Sequence, residues 1–291
     1  MSQSIFLQHD GAFMPTAHAS GPWDPRALHG GAAAALITMA FERMASDGDL
    51  PIARLTFELL RPVPYEPLRL TTRVLREGRR VRELACDMHA GERLICRAGA
   101  LLVAAIAADI PEASGGRDSA GGGSGAGGGS GEDGGGGDDG SGGTPGAPSP
   151  MPGPDAGSPV RFALDDAQRQ SFAASAMEMR WLDDHRALGP ARVWMRLRHP
   201  VIPGQPASPL ALLAATADFG NGVGRALPFE RFLFINADLT LHLHRLPRGE
   251  WAGLDARTVL EPGGTGLAES VLHDVHGPVG RAFQSLVVQA R

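Results

Sequence analysis

HGGAAAALITMAFERM (residues 29–44) and RLTFELLRPVP (residues 54–64) stand close together in the chain and obey different periods. The first has the Ala/Leu richness and apolar spacing of a buried helix. The second alternates apolar and polar residues, as a strand does. Two more long strands are expected at TTRVLREGRRVRELACDMHAG (71–91) and ERLICRAGALLVAAI (92–106), joined at Ala90-Gly91. One long helix followed by a run of long strands has few ways to hide its apolar surface. The natural one is the concave face of a curved antiparallel sheet that wraps around it.

The same order recurs further on. PLALLAATADF (209–219) reads as the helix and DLTLHLHRLP (238–247) as the strand after it, followed by ARTVLEPGGTGLAESVLHDVHG (256–277) and VGRAFQSLVVQA (279–290). RLTFELLRP lies over DLTLHLHRLP, RVLREG over RTVLEPG, and DMHAG…CRAGALLV over DVHG…GRAFQSLVV. AMEMRWLDD (176–184) and ARVWMRLRHP (191–200) supply strands ahead of the second helix. Between the halves runs a Gly/Ser/Pro-rich stretch containing GGGSGAGGGSGEDGGGG, too poor in apolar groups to offset its ordering entropy. The expected organisation is therefore an α+β chain with one half at 1–111, a disordered linker at 112–159 and a second half at 160–291. A phosphate-binding glycine loop is not expected, because no strand precedes the stretch and no helix pattern follows it.

Bulk properties narrow the function classes. The 291 residues carry a formal net charge of −5, which gives no electrostatic reason to expect nucleic acid or an anionic membrane as partner. Every one of the 27 basic residues is arginine. The absence of lysine excludes a P-loop lysine, a Schiff-base lysine and a lysine general base. An anionic ligand must then be held by arginine, backbone N–H groups or a helix N-terminus. Cys86 and Cys96 flank the Ala90-Gly91 turn, so a cross-strand disulfide is conceivable, although two cysteines without a secretion signal are more often buried thiols. MSQSIFLQHDGAFMP has no basic n-region, and no uninterrupted apolar run reaches the roughly 20 residues of a membrane helix, so a cytoplasmic location is expected.

Candidate site residues emerge where the two halves disagree. Gln284 falls over Ala100, Asn236 over Ile52, and Asp218 near Ala40, so polar groups of the second half face apolar ones of the first. A buried unpaired polar group costs roughly 1–3 kcal/mol, which argues for a shared ligand or water. Asp218 is doubly odd, because the macrodipole disfavours a carboxylate at a helix C-terminus. The plainer alternative is a helix-end Asp with two satisfied buried amides. Gly30 and Gly31 follow His29 at the first helix's N-terminus, where free N–H groups favour developing negative charge; close packing with His29 as cap is the equal alternative. Trp23 reads as a packing anchor. His242 and His244 share a strand face, but no third ligand stands at supporting spacing. Asp87 and Asp274 recur ahead of both hairpin turns and read as turn chemistry. REGRRVR (76–82) reads as a solvated turn, with arginines suited to phosphate as the alternative.

GPWDPRALHGG ahead of the first helix and INADLTLHLHRLPRGEW in the second half resemble the thioesterase II (TesB-like) family of acyl-CoA thioesterases. The likeness covers both halves and leaves out only the linker. It implies a tandem, or double, hot-dog fold and hydrolysis of acyl-CoA to fatty acid and CoA. In that family an Asp on the second helix, a Thr or Ser on the next strand and a Gln on the last strand orient a water. The matching positions are Asp218, Asn236 and Gln284, and Asn236 departs from the usual hydroxyl. The resemblance also implies that the His29-Gly30-Gly31 end polarises the thioester carbonyl, and that the acyl chain lies along the Ala-rich face of 32–40. It implies no cofactor and no metal; acyl-CoA is the expected partner, and homo-oligomers are compatible with exposed sheets. A non-catalytic acyl-CoA binding protein is one rival. A hot-dog dehydratase or hydratase is weaker, because the Gly-Asp-x-Asn-Pro-x-His signature is missing. A serine hydrolase is disfavoured by the absence of G-x-S-x-G.

Overall fold

The long Ala/Leu run forms α1 (Gly30–Ala45), buried without a break from Gly31 to Phe41. Burial on all sides explains why the run lacks a polar stripe. Its counterpart α2 (Pro209–Ala217) is likewise buried from Leu210 to Ala217. A short α3 (Gly220–Val223) follows. The computed structural model describes residues 4–21, 24, 26–45, 50–105, 151–160 and 171–291. Most of the predicted linker, and Trp23, lie outside the described residues.

The strands of the first half are β1 (Phe6–His9), β2 (Ala12–Pro15), β3 (Ile52–Leu59), β4 (Leu68–Arg76), β5 (Val81–Ala90) and β6 (Arg93–Val103). Those of the second are β7 (Ser158–Pro159), β8 (Met177–Trp181), β9 (Ala191–Leu197), β10 (Phe232–Asn236), β11 (Asp238–Leu243), β12 (Ala252–Leu260), β13 (Thr265–Asp274) and β14 (Gly277–Ala290). All belong to one antiparallel sheet, in the order β1-β2-β4-β5-β6-β3-β11-β14-β13-β12-β9-β8-β7, with β10 pairing to β14. Apart from β7, which has no counterpart beyond β1, the strands pair off outward from the middle in both directions. At that middle β3 and β11 pair with Thr56 opposite Thr240, so the halves are related by an approximate two-fold through these residues. The helices then run antiparallel. Gly31 at the start of α1 abuts Ala215 near the end of α2, and Glu42 near the end of α1 meets Ser208 at the start of α2. This is the tandem helix-in-sheet architecture that the repeat predicts.

Three expectations change in detail. Residues 71–91 are not one strand but parts of β4 and β5, and 256–277 divides into β12 and β13. The breaks fall at EGRR and EPGG, where glycine permits the reversal; Gly264 has a φ of +88°. The strand expected at 238–247 ends at Leu243, and Asn236 sits on the separate strand β10. Residues 151–159, assigned from composition to the linker, pack on the second half: Ser158 pairs with Trp181, and the Trp194 indole N–H donates to the Pro152 carbonyl at 2.6 Å.

Candidate functional site

Ser208 caps α2 by accepting the Ala211 N–H, with Pro209 at the first helical position. The helix closes at Ala217, and Asp218 follows as its C-cap in a right-handed helical conformation, 7% exposed. Its side chain leaves α2 and reaches the N-terminus of α1. Asp218 Oδ1 accepts from Asn236 Nδ2 at 2.7 Å, and Oδ2 lies 2.9 Å from His29 Nδ1. A Cβ on Gly30 would come within 2.8 Å and 2.9 Å of the two carboxylate oxygens, so only glycine leaves room for this approach. The electrostatic oddity is thereby resolved. Asp218 is at the wrong end of its own helix and at the favourable, positive end of the other.

His29 Nδ1 also accepts the Gly31 N–H at 3.0 Å. The same nitrogen lies 2.9 Å from Asp218 Oδ2, so the Gly31 N–H and the carboxylate converge on one edge of the ring. The contact lies at the seam of the two halves. The imidazole stacks on Phe219 at 4.3 Å between centroids and leans on Phe172 at 5.1 Å. Phe172 opens a π-helical turn (Phe172–Ala176) capped by Ser171. These rings fix the imidazole plane and exclude water from two of its sides. Gly31 permits the helix contact, since a Cβ there would stand 2.5 Å from the Ala215 carbonyl oxygen.

Gln284 is 1% exposed on the inner face of β14. Its Oε1 accepts the Asn221 N–H at 3.0 Å and its Nε2 donates to the Asp218 carbonyl oxygen at 3.2 Å. Both ends of the amide thus grip the backbone between α2 and α3. It holds the turn that carries Asp218 and does not bond the carboxylate itself. Sequence reasoning missed Ser270, a buried hydroxyl of β13. A Cβ on Gly220 would lie 2.8 Å from both Ser270 Oγ and Gln284 Oε1, so the two polar groups converge on one small residue. The signal was present in the repeat: Ser270 stands opposite Ala282 as Cys86 stands opposite Ala98. The fully buried Thr216 hydroxyl, one turn before Gly220, has no hydrogen-bond partner.

Asp218, Asn236, Gln284, His29, Gly30 and Gly31 thus come together from two helices and two strands. His242 and His244 are exposed on and just beyond β11, and no cluster of three or more potential metal ligands occurs among the described residues. Asp87 pairs with Arg73, and Asp274 with Arg245. Cys86 and Cys96 are free, buried thiols, on a diagonal because Cys86 faces Ala98 and Cys96 faces Met88. No helix among the described residues is long and apolar enough to cross a membrane.

Comparison with known proteins identifies the family and the fold. Residues 19–107 match the model of the acyl-CoA thioesterase N-terminal domain, and residues 145–288 that of the acyl-CoA thioesterase C-terminal domain. No curated protein matches the sequence significantly. A provisionally assigned thioesterase from Novosphingobium aromaticivorans is similar in structure, with 22% identity and a TM-score of 0.66 over 97% of this chain and 98% of that one. A hot-dog protein of unknown function from Alicyclobacillus acidocaldarius has 15% identity and a TM-score of 0.64 over 99% and 97%. The acyl-CoA thioesterase II TesB2 of Mycobacterium marinum has 17% identity and a TM-score of 0.58 over 94% and 96%. At these identities the structures speak for the fold, a tandem hot-dog, and the two domain models speak for the family. The chain belongs to the acyl-CoA thioesterase family, with its paired N- and C-terminal domains in one polypeptide.

Proposed function

We propose that the protein hydrolyses acyl-CoA thioesters to a carboxylic acid and CoA. The observation that carries this reading is the buried Asp218 carboxylate, held between Asn236 and His29 at the N-terminus of α1. A water on Asp218 loses its proton to the carboxylate as its oxygen attacks the thioester carbon. Asn236 fixes the carboxylate and, through its amide, the direction of that water. The Gly31 N–H is committed to His29, which leaves the Gly30 N–H, without an acceptor inside the helix, for the developing oxyanion. Collapse of the tetrahedral intermediate breaks the C–S bond, and the proton that Asp218 took from the water passes to the departing thiolate. Gln284 acts through the backbone of the turn, as a positioning residue. No metal or redox step is required by this chemistry.

The test is thiol release from straight and branched acyl-CoAs of graded length, wild type against Asp218→Asn. Loss of turnover in a folded variant supports the reading; undiminished turnover overturns it. The His29 imidazole 2.9 Å from the Asp218 carboxylate favours one second reading, addition of water to an enoyl-CoA by the same pair. Loss of crotonyl-CoA absorbance without thiol release would select it. A non-catalytic acyl-CoA binding protein would bind the panel and release no thiol.

A further inference from the structure

The two-fold between the halves gives the molecule two equivalent helix ends, and only one of them is used above. Where His29 precedes α1, Ser208 precedes α2. Where the Asp218 side chain meets the start of α1, Glu42 on the last turns of α1 meets the start of α2: Ser208 Oγ donates to Glu42 Oε2 at 2.6 Å. Burial pushes the Glu42 carboxyl up, with the Ser208 bond opposing. The catalytic complement is missing from this end, since Ile52 and Ala100 stand in the first half at the repeat positions of Asn236 and Gln284. What this end does have is space. A cavity of about 1120 Å³ opens there, lined among others by Arg196, Arg198, His199, Ala207, Ser208 and Leu212.

The chemistry of the lining selects its ligand. Arg196 is engaged by Glu178 at 2.8 Å, whereas the Arg198 guanidinium has no hydrogen bond or ion pair among the described residues. Exposed Glu250 is the remaining carboxylate of the lining. Arg198 and His199 offer phosphate oxygens donors, and Ala207 and Leu212 offer an apolar wall. The volume exceeds the roughly 300–1,000 Å³ of most small-molecule pockets and leaves room for a ligand as large as CoA. The length of α2 keeps this end away from Asp218 by roughly 15 Å at 1.5 Å per residue.

We infer that the cavity at the N-terminus of α2 is a second, non-hydrolytic site for CoA or its thioesters, the two-fold counterpart of the Asp218 site. This rests on the acyl-CoA reading above. The test is a calorimetric titration of the full chain with CoA, which is not turned over. Wild type is expected to bind two equivalents per chain. Arg198→Glu is expected to lose the second equivalent, weakened by about tenfold or more for a lost arginine–phosphate contact. Ala207→Trp fills the cavity without changing charge and is expected to do the same, and both variants keep wild-type kcat/KM at low substrate, which also reports that they are folded. One equivalent in all three proteins, with thioester hydrolysis intact, overturns the second site alone. Two equivalents that persist in both variants also overturn it. If the acyl-CoA reading itself is wrong, no thioester is cleaved and wild type binds no CoA at all.

Discussion

Asp218 and His29 come from opposite halves of the chain, and their Oδ2 and Nδ1 atoms stand 2.9 Å apart. The contact exists because the halves are antiparallel, which sets the C-terminus of one helix on the N-terminus of the other. It converts an unfavourable helix-end charge into one stabilised by the neighbouring dipole. Asp218→Asn is expected to lower kcat about 10²–10⁴-fold, the usual weight of general acid–base catalysis, with little change in Tm. Steady-state thiol release and a melting curve check both halves of this expectation.

Gly30→Ala separates geometry from charge. The new Cβ would stand 2.8 Å from a carboxylate oxygen, so Asp218 must swing away from His29 and Asn236. Activity should fall by at least about tenfold with every ionisable group retained, since misplacement of about 1 Å can cost more than that. Gly31→Ala should instead show mainly as lost stability, about 1–3 kcal/mol for an overpacked helix contact. Denaturant melts of the two variants distinguish the cases.

Gln284 tests the difference between a catalytic and a positioning residue. Gln284→Leu leaves the Asn221 N–H and the Asp218 carbonyl without this partner, an expected cost of about 1–3 kcal/mol. Its kcat should fall together with Tm while the pH profile of kcat keeps its wild-type shape. Asn236→Leu should lower kcat with less effect on stability, and Asn236→Ser should recover part of the loss, since a hydroxyl can also donate to Asp218.

Asp274 is 2% exposed and chelated by Arg245 Nη1 and Nη2 at 2.6 Å and 2.7 Å. Burial pushes its carboxyl up, but the bonds from Arg245 and from the His276 and Arg248 N–H groups outweigh it, and the net shift is down. A depressed folded-state pKa stabilises the fold above the ordinary carboxylate range. That contribution disappears as pH falls through the depressed value. The drop in Tm between neutral and acid pH should therefore be shallower in Asp274→Asn than in wild type, from a lower starting Tm.

Burial pushes the thiols of Cys86 and Cys96 up to about 12, aided by the Asp87 charge near Cys86, and near Cys96 by Cys86, Glu58 and Asp87. Thiolate is the reactive form, so the native protein should consume a disulfide reagent only on denaturation. Rapid labelling of either cysteine in the folded protein would contradict the structure. Their diagonal placement gives no reason for a disulfide between them.

Much of this architecture was legible because periodicity is a local property. The Ala/Leu runs of α1 and α2, and the alternation in β3, β11 and β14, each state their own element. The repeat between halves then exposed Asn236 and Gln284 as departures. Boundaries set by turns were less legible: the breaks at EGRR and EPGG lie inside runs of strand-forming residues. Composition also missed that Ser158-Pro159 finds an edge to pair with on β8.

The amino-acid sequence alone determined that this protein has two helix-in-sheet halves and which residues break their symmetry, since covalent order and hydrophobic period suffice for both. Only the tertiary structure decided what those residues touch. His29 and Asp218 are 189 positions apart in the sequence, and nothing local in either says that they meet. Gln284 could face a water or a backbone turn; the register of β14 against β13, with α3 above it, chose the turn. The Ser208–Glu42 end exists for the same reason. An antiparallel pair of helices has two ends, and the pattern of each half describes only its own helix.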